Sequence, residues 1–215
     1  MSGARYKMKR GILIVFDGID GAGKTTQAKR LLETLQKEGF DAVYFREPSD
    51  SKWGQEVKRK ATHPDSLSPE EELDLFQKDR KENVERNLKP ALEKRKVVVL
   101  DRYYFSTIAY QGARGIDPLT IQKLNEEFAV KPDLVFILDI APGNGLKRIE
   151  MNRKKKDLLF EQEGYLARVR KIFRSFKGKN IFHINALQTE EGIYNEIKKI
   201  IFAFLEGVKM SKVKG

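Results

Sequence analysis

The sequence predicts an α/β domain built on a five-stranded parallel sheet with helices on both faces. Three observations carry that prediction. Short, continuous apolar runs recur along the chain, the kind of strand that is buried on both faces of a parallel sheet. Amphipathic helical segments separate them, so each strand is followed by a crossover. The first apolar run ends in a Gly-rich turn that leads into a helix. No internal repeat and no Gly/Ser linker interrupts this order, and residues 1–215 read as one domain.

Gly11–Asp17 is the first strand, and the helix after its turn runs from Thr25 to Glu38 and stops at Gly39. Asp41 to Arg46 reads as a second strand. Ser68-Pro69-Glu70-Glu71 starts a long helix, with Ser as N-cap, Pro at N1 and Glu at N3. Leu73, Phe76 and Arg80 then fall near one face of it. Val97 to Leu100 is a third strand and ends in Asp101-Arg102. Asp117 to Val130 is helical, and Lys131-Pro132-Asp133 introduces a fourth strand, Leu134 to Ile140. Helices follow around Leu146 to Met151 and from about Glu161 to Phe176. Ile181 to Ile184 is the fifth strand. The last helix begins near Thr189, with Ile193, Ile197, Ile200, Ile201 and Phe204 on its buried stripe.

Composition narrows the function classes. Hydrophobic residues make up 40% and charged residues 34%, as in a globular protein with a heavily charged surface. No apolar run approaches the roughly 18–20 residues that cross a bilayer, and the N-terminus lacks a secretory apolar stretch. A cytoplasmic location is expected. Zero cysteines exclude disulfides, iron–sulfur clusters and thiolate zinc sites. The net charge of +11 fits either polyanion binding or a solvated surface with a basic tail over residues 208–215. Charge alone chooses neither.

Gly18-Ile19-Asp20-Gly21-Ala22-Gly23-Lys24-Thr25 satisfies the phosphate-binding pattern G-x-x-x-x-G-K-[ST], and Thr26 follows on the helix. The required strand before it and helix after it are both predicted. Glycines let successive backbone N–H groups turn inward to phosphate oxygens, and the helix aims its positive end at the same place. Lys24 supplies a charge to the β- and γ-phosphates, and Thr25 a hydroxyl ligand for Mg2+. ATP is the expected donor. The Asn-Lys-x-Asp segment by which GTPases read their base is not found in the sequence. Asp101-Arg102 closes the third strand, where open α/β sheets place ligand-binding groups. A carboxylate there can hold Mg2+ through water, and the arginine can neutralise phosphate.

With Arg46-Glu47-Pro48, Phe76-x-x-x-Arg80, Asp101-Arg102-Tyr103 and Ser106-Thr107-x-Ala109-Tyr110-Gln111-Gly112 in order after the phosphate loop, the chain resembles thymidylate kinase along nearly its whole length. The resemblance is to members of bacterial type, with Gly in the phosphate loop and a basic lid. It implies the P-loop kinase fold, a small lid over about residues 148–162, a homodimer, and phosphorylation of dTMP to dTDP. It implies that Phe76 stacks on thymine, that Arg80 bonds a thymine carbonyl, and that Thr107 reads the base. Arg46 and Arg102 grip the acceptor phosphate, and Ser106 and Gln111 complete the acceptor site. Asp20 meets the sugar 3′-hydroxyl, and Tyr110 packs where a ribose 2′-hydroxyl would lie. From pattern alone Phe76 and Tyr110 read as core residues and Arg80 as a surface cation. Their joint spacing with Arg102 and Thr107 turns the reading towards a site.

The chain departs from the family's pattern in several places. Asp17 stands where Glu is common, Ser49-Asp50-Ser51 replaces Gly-Gly-Thr, and Leu158 follows Asp157 in the lid. Gly21 stands where some members carry an arginine in the loop, so the catalytic cation opposing Lys24 is expected from the lid, as Arg153. The rival readings are a nucleoside monophosphate kinase for another base, such as dUMP or dCMP, and a P-loop nucleic-acid-binding ATPase. Small-molecule partners, with neither nucleic acid nor membrane, are expected.

Overall fold

The computed structural model describes residues 5–60, 67–150 and 159–213. Its strands are β1 (Arg5–Met8), β2 (Ile12–Asp17), β3 (Ala42–Arg46), β4 (Val97–Asp101), β5 (Leu134–Asp139), β6 (Ile181–Asn185) and β7 (Lys209–Val213). Strands β2 to β6 form one five-stranded sheet in the order β3-β4-β2-β5-β6, and every pairing in it is parallel. Its helices are α1 (Lys24–Lys37), α2 (Lys52–Lys60), α3 (Pro69–Asn83), α4 (Lys89–Glu93), α5 (Tyr104–Gly112), α6 (Pro118–Glu126), α7 (Pro142–Glu150), α8 (Leu159–Ser175) and α9 (Glu190–Val208). A π-helical turn, Val84–Leu88, joins α3 to α4.

The central strands are buried because their sequences permit nothing else. All six residues of β2 and all five of β4 are buried, and both strands lie inside the sheet. Each such aliphatic side chain contributes about 1.5–3 kcal/mol relative to exposure. Helix α1 packs on β2, β3 and β4 and against α9, while α8 packs on β5 and α5. Ser68 caps α3 as predicted: its side chain accepts from Glu71 N, and the Glu71 side chain accepts from Ser68 N. Asp117 caps α6 by accepting from Leu119 N and Thr120 N. That helix is shorter than expected, ending at Glu126 rather than Val130.

The termini hold the main surprise of the fold. Residues expected as a basic tail form β7, which pairs antiparallel with β1, Arg5 opposite Val213 and Lys7 opposite Ser211. Tyr6 N donates to Gly39 O at 2.9 Å and ties this ribbon to the end of α1. The ribbon therefore lies at the edge of the sheet opposite the phosphate loop. No helix among the described residues is long and apolar enough to cross a membrane.

Candidate active site

The turn from β2 into α1 has the backbone that a phosphate cradle needs. Gly18, Gly21 and Gly23 all have positive φ, at 136°, 78° and 91°. At Gly21 a Cβ would also lie 2.2 Å from Gly145 O, so only glycine fits. Gly23 is the N-cap of α1 and offers no side-chain cap, which leaves the first N–H groups of the helix free for an anion. Lys24 is buried, and its Nζ donates to Ile19 O at 2.7 Å. Burial, with Arg102 nearby, pushes its pKa down to about 8.

One carboxylate at the end of β4 and one within the loop itself shape this site. Thr25 Oγ1 donates to Asp101 Oδ2 at 2.5 Å, and Tyr44 OH donates to the same oxygen at 3.0 Å. Asp101 Oδ1 is buried and has no hydrogen-bond partner among the described residues. A carboxylate oxygen left open beside a threonine hydroxyl fits a hydrated divalent cation. Asp20 sits between Arg102 Nη2, which donates to its Oδ1, and Tyr110 OH, which donates to its Oδ2 at 2.9 Å. Burial works against its ionisation, but Arg102 and Lys24 outweigh it and hold the carboxyl below its ordinary range.

A second cavity, of about 630 Å3, opens beside the loop. Helices α3 and α5 form two of its walls in opposite directions. Arg80 Nη2 donates to Thr107 Oγ1 at 3.0 Å at one end, and Arg114 pairs with Glu72 at the other. Between them Phe76, Tyr110 and Gln111 line the cavity, with Ser106 near Arg102. Gln111 Oε1 is buried with no protein partner among the described residues. Phe76 is half-buried on the cavity wall rather than sealed in the core.

Arg80 is not a surface cation. It is 1% exposed, and its Nε donates to Glu47 Oε2 at 2.8 Å and its Nη1 to Asn125 Oδ1 at 2.5 Å. Most of its donors are therefore held by protein, which makes it a fixed fork at the end of the cavity. Glu47 is buried too, and burial raises its pKa against the pull of Arg80. Glu47 and Asn125 were missed as site residues. Glu47 was within the quoted Arg46-Glu47-Pro48 motif, whereas nothing in the local pattern marks Asn125.

The substituted Ser49-Asp50-Ser51 segment turns away from this cavity. Ser49 N donates to Asp79 Oδ2 at 2.8 Å, and Ser51 Oγ to Asp79 Oδ1 at 2.7 Å. These residues line a separate hollow of about 480 Å3. Arg46 is exposed, and it lines both that hollow and the phosphate loop's own cleft of about 220 Å3. Arg148 Nη2 donates to Ala186 O at 2.9 Å, and its Nη1 approaches Gly21 O at 3.4 Å, next to the loop. Arg153, and with it residues 151–158 of the expected lid, lies outside the described residues.

The cleft and the larger cavity share Asp20, Glu47 and Arg102 as common walls. A phosphate cradle meeting a nucleotide-sized cavity at one arginine, on the carboxyl edge of a parallel sheet, defines the class of P-loop nucleotide kinases. The thymidylate kinase family model matches residues 16–197. A probable thymidylate kinase of Archaeoglobus fulgidus is 43% identical over 200 residues, covering 93% of this chain and 100% of that one. The thymidylate kinase of Brachyspira hyodysenteriae is 41% identical over 204 residues, covering 95% and 96%. The crystal structure of thymidylate kinase from Ehrlichia chaffeensis has a TM-score of 0.72 at 29% identity, over 89% of this chain and 98% of that one. The chain belongs to the thymidylate kinase family.

Proposed function

We propose that this chain transfers the γ-phosphoryl group of ATP to dTMP, giving dTDP and ADP. The observation that carries the reading is the shared wall: Arg102 and Asp20 stand where the phosphate cleft and the nucleotide-sized cavity meet. Phosphoryl transfer needs alignment and charge neutralisation more than covalent chemistry. Residues 18–26 cradle the donor phosphates, with Lys24 as the principal charge. Phe76, Arg80, Thr107 and Gln111 hold the thymine, and Arg46, Arg102 and Ser106 hold the acceptor phosphate. Asp20 takes the 3′-hydroxyl beside Tyr110. In line with these, an oxygen of the acceptor phosphate attacks the γ-phosphorus as the bond to the β-phosphate oxygen breaks.

Thr25 and Asp101 are the residues that would hold Mg2+, consistent with the open Oδ1 of Asp101. Bound there, the ion would supply charge compensation on the polyphosphate. A lid over about residues 148–162, with Arg153 as its catalytic cation, belongs to the same reading, as do a homodimer and a cytoplasmic location. Their support is the basic composition of the segment and the family membership. The shared wall favours the dTMP reading over a nucleic-acid-binding ATPase, whose polymer would need an open groove. The test is chromatographic: dTDP and ADP are expected in equal amounts from dTMP and ATP, and none with excess EDTA. ATP hydrolysis with dTMP left unchanged would defeat the reading.

A further inference from the structure

Arg102 is pinned to β2 on both sides of its own Cα. Its N–H donates to Phe16 O at 2.9 Å, and the next N–H, of Tyr103, donates to Asp17 Oδ2 at 3.0 Å. Between the two anchors Arg102 takes φ 69°, a left-handed conformation that a non-glycine residue keeps only where its surroundings impose it. Asp17, the fully buried last residue of β2, holds the second of these anchors. Besides Tyr103 N, its carboxylate accepts from Ser106 N at 3.2 Å, from Gly18 N at 3.2 Å and from the Ser106 hydroxyl. Helix α5 has no side-chain cap of its own at Tyr103, whose hydroxyl donates instead to Val130 O at 3.1 Å. Asp17 supplies that cap from another element.

The same carboxylate also fixes the direction of a hydrogen-bond chain. A hydroxyl has one proton, and Ser106 gives it to Asp17. Its lone pairs are then free to accept from Arg102 Nη1 at 3.2 Å, while Arg102 Nη2 donates to Asp20. Asp17 lines neither cavity, so it reaches a substrate only through the groups it holds, Ser106 and, beyond it, Arg102.

We propose that Asp17 is a positioning residue: by capping α5 and polarising Ser106 it aims the Arg102 guanidinium at the junction of the two cavities. The proposal rests on the reading of dTMP as acceptor. An amide at this place cannot do both jobs. If its oxygen takes the two N–H groups of α5, its NH2 faces Gly18 N–H and Ser106. Ser106 must then accept and turn its proton against Arg102. If the amide flips, its NH2 opposes the α5 donors instead.

The test is a double-mutant cycle of Asp17→Asn with Arg102→Ala, scored by kcat/KM for dTMP, with affinity for a non-hydrolysable ATP analogue alongside. In the wild-type background Asp17→Asn is expected to lower kcat/KM for dTMP by about 10- to 100-fold, the cost of a misplaced group. In the Arg102→Ala background the same change is expected to cost less than about threefold, because the residue it positions is gone. Affinity for the ATP analogue is expected to stay within about threefold, since Gly18, the loop residue bonded to Asp17, does not line the phosphate cleft. Equal losses in both backgrounds, or a matching loss of ATP-analogue affinity, would overturn the proposal and leave Asp17 a purely structural cap. If Asp17→Asn does not fold, Asp17→Glu carries the same cycle, since it keeps a carboxylate but displaces it by one methylene. Its loss in kcat/KM for dTMP is expected only where Arg102 is present, equal losses in both backgrounds again overturning the proposal. A wild-type protein inactive on dTMP would overturn the functional reading itself. An active one with multiplicative losses would overturn the positioning role alone.

Discussion

Lys24 keeps a charged amine almost wholly out of water, 5% exposed, with Ile19 O as its hydrogen-bond acceptor. Such a group costs stability that function must justify. Lys24→Met is expected to lower dTDP formation by about 10²–10³ or more, as when a preorganised donor is lost. Its thermal midpoint is expected to be unchanged or higher. An earlier-melting variant would mean that the bond to Ile19 O outweighs the burial. Arg80 presents the opposite balance. Removing it leaves the Glu47 carboxylate buried without its cation, a change that typically costs about 3–5 kcal/mol. Arg80→Ala is thus expected to weaken both the fold and the use of dTMP, rather than dTMP alone. The pH dependence follows from Glu47. Its folded pKa lies above the usual 4.5 because of burial, and loss of Arg80 raises it further. Between those values the folded state holds a proton that the unfolded state has released, so stability falls as pH rises through the window. Chemical denaturation is expected to show Arg80→Ala closer to wild type at pH 5 than at pH 8. A deficit independent of pH would put the loss elsewhere.

At the scale of elements, α3 and α5 together wall the larger cavity, and they were not equally readable. Helix α3 announces itself by its capping box, Ser68 to Glu71, and by a four-residue spacing that places Phe76 and Arg80 on one face. Helix α5 shows in the sequence only as the Ser106–Gly112 motif. Tyr104, Phe105, Thr107, Ile108, Ala109 and Gln111 are all buried, so no polar face marks a helical period. Helix α2 failed in the other direction, because only Gly54 and Val57 are buried in a run of charges. The central strands were readable because β2 and β4 are apolar throughout. What stayed hidden in the site was long-range: no local pattern pairs Asn125 with Arg80, or Asp79 with Ser49 and Ser51. Helix α5 also bears the sugar prediction. Tyr110 OH accepts from Asp20 N at 3.2 Å and donates to the Asp20 carboxylate, so its ring is held in place beside that group. Ribothymidine monophosphate is expected to be a markedly poorer acceptor than dTMP, and Tyr110→Ala to narrow the gap. Equal kcat/KM for the two acceptors in the wild type would sink the steric argument.

For the whole molecule, the phosphate loop and the larger cavity gather at the carboxyl edge of the sheet, and the β1–β7 ribbon sits at the other. The ribbon was invisible in sequence because Lys209, Lys212 and Lys214 read as a solvated tail. Deleting residues 209–215 unpairs β1, and each 1 kcal/mol lost in a domain of this size lowers Tm by about 2–4 °C. A fall of that order is expected, with kcat for dTMP within about twofold because none of the described residues that line the two cavities belongs to the ribbon. A collapse of kcat would show that the two edges are coupled. The central claim is narrower: a cavity with Phe76 on its wall and Arg80 fixed at its end, joined to a phosphate cradle at Arg102, selects dTMP. The direct measurement is kcat/KM with ATP and Mg2+ for dTMP, dUMP, dCMP, dGMP and dAMP. The account predicts dTMP first, with dUMP behind it and the cytosine and purine nucleotides about 10² or more lower, as for a site that fixes a base by hydrogen bonds. Comparable values for dCMP and dTMP, or no turnover of dTMP at all, would contradict it.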